Sequence, residues 1–500
     1  MSQKLILCFD GTSNKPEDAV EDRILVFVGD SGITNVLKLH LLFGGDLRGG
    51  QHVDGQRSFY FSGVGTRGSG VEKVFDTAFA PERLSLKQMT DAGMAVVSEH
   101  FQAGDELYLF GFSRGAAIAR RFASQLPDNV PVRFLGVFDT VASFGIPSLK
   151  DDQDPSGDVI FENGTIAKGI REALHLVSID ETRKVFRPTL MNRDVRVTEY
   201  WLPGVHSDVG GGYRQDGLSD SALQIMLEEM DRRNLGIRIL APQSVPYDKL
   251  AGDNSDPEID LDDVLIQPDL LGKLHEHKRP HKLAELTLAP RRVCVNENDQ
   301  PSPHRPLIHW TAAERIYGDP DYRPRALRQV AHDVILPDGT RETFGGLHDH
   351  LQHGRRRLIH LNIGEERELF CNALRPNNHS GLLVVSGEKY LFTVPHGQQW
   401  TDFDTTCGPE GWTRESVTKG FFKESIFAVG EFFRRAPSSA WFALMGSVGG
   451  DDSEIFEILQ HTSAPRNMSS TGEFCSFAND HQKFYSNNTG TLRFRIRRVE

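Results

Sequence analysis

Cysteine is scarce and scattered in this chain: Cys8, Cys294, Cys371, Cys407 and Cys475 are the five in 500 residues. An odd, widely spread set does not make a disulfide framework, and a reduced, cytosolic state is the simplest reading. No uninterrupted apolar run approaches the roughly 18 to 20 residues of a membrane span, so no transmembrane segment is expected. The opening stretch MSQKLILCFDG lacks the long apolar core and small-residue cleavage site of a signal peptide. Export, if it occurs, is expected to use a route without a cleaved signal. Basic charge is also in short supply. The 56 Lys and Arg face 69 Asp and Glu, a formal net charge of −13. Phosphate backbones want the opposite sign, so nucleic acid is excluded as the main partner. Internal repeats and low-complexity tracts are absent too.

What is present reads as a soluble globular chain, 38% hydrophobic and 25% charged. Five hundred residues exceed one ordinary core, so at least two domains are expected. Residues 1–335 alternate apolar strand runs with amphipathic or alanine-rich helices, the pattern of a parallel α/β sheet. The strands are KLILCF, SFYFS, ELYLFGF, VRFLGVF and VRVTEYWL; two of the helices are 114–126 and DSALQIMLEEMDRR. The stretch 241–305 has weak periodicity and reads as a long insertion or cap. Residues 336–366 look like a connector. From 367 to 500, short strands separated by Gly, Asn, Asp and Pro clusters predict an all-β sandwich.

The stretch ELYLFGFSRGAAIAR places G-x-S-x-G between an apolar strand and an alanine-rich helix. That order is the signature of a nucleophile elbow, with Ser113 at its corner. Ligands of open parallel sheets sit beyond the carboxyl ends of the strands. Other chemically useful residues follow strands in turn: Asp139 after VRFLGVF, and His206 in PGVHSDVGGGY after VRVTEYWL. Serine, aspartate and histidine in that chain order suit an α/β-hydrolase triad. The imidazole would take the serine proton, and the carboxylate would fix the imidazole's tautomer. The backbone N–H of Arg114 is a candidate oxyanion donor, with a second from the turn holding Gly11 and Thr12. Asp180, in SIDETR, is the rival for the acid; Asp208 is so close to His206 that loop stabilisation is its expected role.

Three patterns carry less. GVGTRG, Gly63 to Gly68, fits G-x-G-x-x-G but opens no clear helix, so a glycine loop at the site rim is expected. The histidine groups His275, His277, His281 and His348, His350, His353 do not form H-E-x-x-H and have charged flanks. They are expected on the solvated surface.

Together, LCFDGTSN, GVGTRG, GFSRGA, GVFDTVASFG, SIDETRKVFRP and WLPGVHSDVGGGY, followed by IHWTAAERI and YRPRAL, occur in order between residues 3 and 330. The set resembles the α/β-hydrolase family of bacterial type VI secretion lipase effectors. The resemblance implies a phospholipase A-type serine esterase, with Ser113 as nucleophile, Asp139 as acid and His206 as base, needing no catalytic cofactor. It also implies delivery to a target-cell membrane by a spike protein, and an immunity protein in the producer. The carboxyl-terminal NNHSGLLVVSGEKYLFTV, WTDFD and FANDHQKFYSNNTGTLRFRI are similar to calcium-dependent bacterial galactose-binding lectins. By that resemblance Asp480, Asn487 and Asn488, with carbonyls near Phe484 and Trp400, would hold Ca2+, and a carbohydrate ligand would follow. The bland alternative is that SNNTG only makes an asparagine–glycine turn. Two other functions stay open: an intracellular carboxylesterase acting on a small or glycosidic ester, and a lectin-like binding protein whose hydrolase domain is inactive.

Overall fold

The structure is a computed structural model. It describes residues 2–11, 23–24, 27–28, 31–62, 81–142, 165–250, 259–276, 287–413, 434–450 and 452–500. Contacts divide the chain into two units, one of residues 1–20 and 31–355, the other of residues 21–30 and 356–500.

The first unit is built on one nine-stranded sheet. Its strands are β1 (Lys4–Phe9), β4 (Gln56–Phe61), β5 (Glu106–Phe112), β6 (Val132–Phe138), β7 (Ala173–Ser178), β8 (Val197–Leu202), β9 (Leu307–His309), β10 (His332–Ile335) and β11 (Arg341–Phe344). A short hairpin, β2 (Arg23–Ile24) and β3 (Phe27–Val28), falls in the second unit. The sheet order is β11-β10-β9-β8-β7-β6-β5-β1-β4, and every neighbouring pair is parallel except β10 with β11. Helices α1 (Asn35–Leu42), α2 (Pro81–His100), α3 (Ser113–Gln125), α4 (His206–Gly210), α5 (Gly217–Arg232), α6 (Leu261–Val264), α7 (Trp310–Gly318) and α8 (Leu347–His353) complete it.

Side-chain alternation along β1 shows how the sheet is buried on both faces. Leu5, Leu7 and Phe9 join Met89 and Val97 of α2 and Ile118 and Phe122 of α3 in one core. Ile6 and Cys8 join Val36 and Leu39 of α1 and Leu223 and Met226 of α5 in the other. A sheet with both faces covered needs apolar residues at every position, which is why KLILCF and ELYLF read as continuous runs rather than alternating ones. The 336–366 segment is mostly part of this unit: Arg341–Phe344 pairs antiparallel with His332–Ile335, and α8 follows.

Besides the β2–β3 pair, the described residues of the second unit hold three antiparallel-rich sheets around a core that includes Trp400, Phe392, Phe474 and Phe494. Its strands are β12 (Ile359–His360), β13 (Glu366–Asn372), β14 (Asn378–Val384), β15 (Lys389–Thr393), β16 (Trp400–Asp402), β17 (Thr405–Cys407), β18 (Leu444–Val448), β19 (Ile455–Glu457), β20 (Arg466–Asn467), β21 (Gly472–Ala478), β22 (Asn488–Thr489) and β23 (Thr491–Arg498). The orders are β12-β14-β21-β18-β19, β13-β23-β15-β20 and β17-β16-β22. In β23, Leu492, Phe494 and Ile496 are buried and Arg493, Arg495 and Arg497 are exposed, the two-residue period of a strand with one wet face. All five cysteines are free thiols.

Candidate active site

The turn from β5 into α3 depends on its two glycines. A Cβ on Gly111 would lie 2.7 Å from the Cα of Ala116, and one on Gly115 would lie 2.2 Å from the carbonyl oxygen of Phe9. Only glycine lets strand and helix meet this closely. Ser113, between them, takes φ +57°, the left-handed region that an L-residue occupies at a cost. Asp139 at the end of β6 is also left-handed, with φ +37°. The structure stores backbone strain at both strand ends. The glycine run after His206 has the same logic: a Cβ on Gly210 would sit 1.9 Å from the Phe112 ring, and Gly211 has φ +84°.

His206 opens α4 just past β8, and its Nδ1 lies 2.5 Å from Asp139 Oδ2. Both side chains are buried. The imidazole is held between the rings of Phe112 and Phe186, at 4.6 and 4.7 Å between centroids. With Nδ1 on the carboxylate, Nε2 is the nitrogen left to exchange a proton. Ser113 belongs to the same corner: its carbonyl accepts from Val141 N–H at 3.2 Å, two residues past Asp139. No hydrogen bond joins the Ser113 hydroxyl to His206, whose Nδ1 is taken by Asp139.

Asp139 has more partners than the sequence suggested. Arg291 donates to both carboxylate oxygens, at 2.5 and 2.8 Å, and Ser178 N–H donates to Oδ1 at 2.9 Å. Burial alone would raise this carboxyl, but the Arg291 charge and the bond to His206 hold it well below the usual range. The same guanidinium donates to the carbonyls of Ser178 and Phe186. Arg291 was missed because nothing in APRRVCV marks it. Glu181 was missed as well: its Oε2 accepts from His206 N–H at 3.2 Å. Despite its burial, Glu181 is kept down at about 2 by its pairing with Arg183.

The rival carboxylates are occupied elsewhere. Asp180 Oδ2 accepts from Gly204 N–H at 2.8 Å and Tyr322 OH at 2.7 Å, and burial pushes its carboxyl up to about 6. Asp208 caps the helix that carries His206, accepting from Val205 N–H at 3.0 Å, and also binds His275 Nδ1 at 2.5 Å. This corrects the surface expectation for two histidines. His275 is buried and stacks on Tyr213 at 3.7 Å. His350 is buried too, with its Nε2 2.7 Å from His332 Nε2 and its Nδ1 2.8 Å from Tyr317 OH. His348 and His353 are exposed; His277 and His281 lie outside the described residues.

Of the oxyanion candidates, Arg114 occupies the first turn of α3, where backbone amides point out of a helix N-terminus. Gly11 N–H donates instead to Asp10 Oδ1 at 2.6 Å. Asp10 also accepts from Thr34 and Tyr60, and its burial raises it to about 6. Thr12 and the GVGTRG loop lie outside the described residues.

In the second unit, Asp480 is buried and accepts from His481 N–H at 2.6 Å and Asn488 Nδ2 at 3.0 Å. Its carboxyl is raised by burial, against the pull of the Asn488 hydrogen bond. The Oδ1 atoms of Asn487 and Asn488 are buried with no hydrogen-bond partner. The strand starting at Trp400 pairs with β22, Asp402 facing Asn488, and Gly490 (φ +99°) lets it approach. A Cβ there would lie 2.8 Å from Trp400 Cα. The Phe484 carbonyl accepts from Asn487 N–H at 3.1 Å. One carboxylate beside two orphaned amide oxygens fits a hard cation such as calcium, which takes six to eight oxygen ligands.

Residues 3–128 and 122–229 match the family model of the catalytic domain of Tle1-like type VI secretion phospholipase effectors. An uncharacterized protein of Saccharomyces cerevisiae is 31% identical over 247 residues, covering 37% of this chain and 32% of that protein. A crystal structure of an uncharacterized protein from Pseudomonas aeruginosa is similar at 21% identity and a TM-score of 0.33, over 52% of this chain and 49% of that one. The Tle1 effector bound to the VgrG spike of the type 6 secretion system is similar at 23% identity and a TM-score of 0.27, over 43% and 51%. The chain thus spans about a third of the yeast relative and about half of each of these solved chains. That family match spans residues 3–229, less than half of the chain. Among the described residues, no helix is long and apolar enough to cross a membrane.

Proposed function

We propose that the first unit is a serine esterase that hydrolyses acyl esters of phospholipids, and that Ser113, His206 and Asp139 carry the reaction. The observation that carries this reading is the buried Asp139–His206 pair beside a strained serine at the strand–helix corner. Ser113 Oγ attacks the ester carbonyl while His206 Nε2 takes its proton. Asp139, fixed by Arg291, holds His206 Nδ1–H and stabilises the imidazolium. His206 then returns the proton to the leaving alcohol, and water clears the acyl-enzyme by the same steps in reverse. The Arg114 N–H, in the first turn of α3, would meet charge developing on the carbonyl oxygen.

The family match supports phospholipid as substrate and type VI secretion as the route; carriage by a spike protein and an immunity protein guarding the producer's own membranes belong to the same proposal. The second unit is read as a calcium-dependent carbohydrate- or envelope-binding module, on the strength of the orphaned Asn487 and Asn488 oxygens beside Asp480. The test is acyl release from phospholipid vesicles, run beside a short soluble ester. Wild-type protein should release fatty acid and Ser113→Ala should not. Hydrolysis of the soluble ester alone would favour the small-ester alternative, and no hydrolysis of either would favour a binding protein.

A further inference from the structure

A second cluster of ligating side chains lies in the β unit, on β21 itself and different in chemistry from the aspartate–asparagine site that follows this strand. Strand alternation puts Glu473 and Cys475 on one face of β21, and His379 of β14 is the cross-strand partner of Cys475. A register break follows His379, where Gly381 takes φ +70° and its N–H donates to Glu473 Oε1 at 2.8 Å. The result is convergence on one nitrogen. His379 Nδ1 lies 2.9 Å from Glu473 Oε2 and 3.4 Å from Cys475 Sγ. All three ligand atoms fall within 4.8 Å of one another.

One ring nitrogen carries at most one proton, so it serves a carboxylate and a sulfur together poorly. A single cation can serve all three. We propose that His379, Glu473 and Cys475 form a site for a zinc-class divalent metal ion. Zinc bonds of ~2.0–2.1 Å to nitrogen or oxygen and ~2.3 Å to sulfur set N···S near about 3.5 Å and N···O near about 3.3 Å in a tetrahedron. The two contacts at His379 Nδ1 need to lengthen by only a few tenths of an ångström, and the Glu473 and Cys475 ligand atoms lie within 4.8 Å of each other. Thiolate, imidazole and carboxylate together select zinc over calcium or magnesium.

The surroundings suit a held ion. Arg356 donates to both Glu473 oxygens, at 2.5 and 3.1 Å, and so orients the carboxylate as partners behind metal ligands do. Glu473 and Cys475 are buried, and His379 is partly exposed, which gives an entry path. Gly450 lines the cluster: a Cβ on it would lie 3.4 Å from His379 Cε1 and 3.7 Å from Cys475 Sγ. Ser447 pairs with Cys475 across β18 and β21, and its Oγ is fully buried with no hydrogen-bond partner. It stands on the same face, where a fourth ligand or a metal-bound water would need one. Three protein ligands leave that fourth position open.

The test is cobalt binding by the full-length, reduced, chelator-stripped protein. One equivalent of Co2+ should give a thiolate-to-metal charge-transfer band with tetrahedral d–d absorption, and zinc should displace it while calcium should not. Cys475→Ser should abolish the charge-transfer band. His379→Gln should weaken binding at least tenfold, and Arg356→Gln by about 10-fold, the scale of a lost outer partner. No charge-transfer band in the wild type, or an unchanged band in Cys475→Ser, would overturn the proposal. If Cys475→Ser fails to fold, His379→Gln keeps the thiol, and unchanged cobalt affinity in that variant would overturn it equally.

Discussion

Asp139 and Asp480 are both buried carboxylates at strand ends, yet burial has opposite outcomes for them. Asp139 is met by the Arg291 guanidinium, by His206 and by Ser178 N–H, and its carboxyl is held far down. Asp480 meets an amide and a backbone N–H, and burial pushes its carboxyl up. Desolvation penalises both charges alike; the difference is whether the chain supplies its own cation. In the first unit it does, so the charge is ready to orient a histidine. In the second, Asp480 is bonded by a backbone N–H and an amide with His481 beside it, and under the calcium reading proposed above an ion would complete the site.

The contrast can be broken from the first unit with the largest effect. Asp139→Asn should lower esterase turnover by about 10⁴-fold, since the amide no longer fixes the His206 tautomer. Asp180→Asn, on a carboxylate bonded to Gly204 and Tyr322, should cost less than tenfold in the same assay. The reverse ranking would move the acid role to Asp180.

Asp180→Asn also sharpens the electrostatic side. Asp180 titrates near about 6 when folded, against about 3.9 in an unfolded chain. The folded state therefore binds the proton more tightly, and wild-type stability falls as pH rises from about 4 through 6. An asparagine carbonyl keeps both hydrogen bonds without paying that penalty. Its melting temperature relative to wild type should improve between pH 4.5 and 7.5, by the equivalent of roughly 3 kcal/mol at most. A difference independent of pH would show that burial does not raise the Asp180 carboxyl.

The smallest effect is expected at the proposed calcium site. Calcium should raise the melting temperature of the full chain, by about 2.7 kcal/mol in stability at a hundredfold excess over Kd. Magnesium should substitute poorly, because it demands a small octahedral cage. Asp480→Asn should remove the shift, and acid should weaken it, because the raised Asp480 carboxyl protonates early. Calcium-indifferent melting would reduce SNNTG to a hairpin-like turn.

How much of this was legible in the sequence follows the range of each interaction. Runs such as KLILCF and ELYLFGF, and the glycines of GFSRG, act locally, so strands and elbow were readable from neighbours alone. ALHLVS escaped because His175 interrupts its apolar run; fully buried, it is bonded to Glu199 at 2.8 Å. RETF escaped because three of its four residues are exposed on an edge strand. Arg291 reaches Asp139 across 152 residues, from a segment without clear periodicity. His379 and Cys475 stand 96 residues apart. Partners of that kind are set by strand register, which no local pattern announces.

In the proposed mechanism Ser113 is the nucleophile and the Asp139–His206 pair activates it. Reaction with a fluorophosphonate ester, read by peptide mass spectrometry, tests this most directly because it needs no knowledge of the lipid. The expected result is one stoichiometric adduct on Ser113, nearly lost in folded His206→Ala and strongly slowed in Asp139→Asn. An adduct on another residue, or labelling of Ser113 at full rate in both variants, would contradict it.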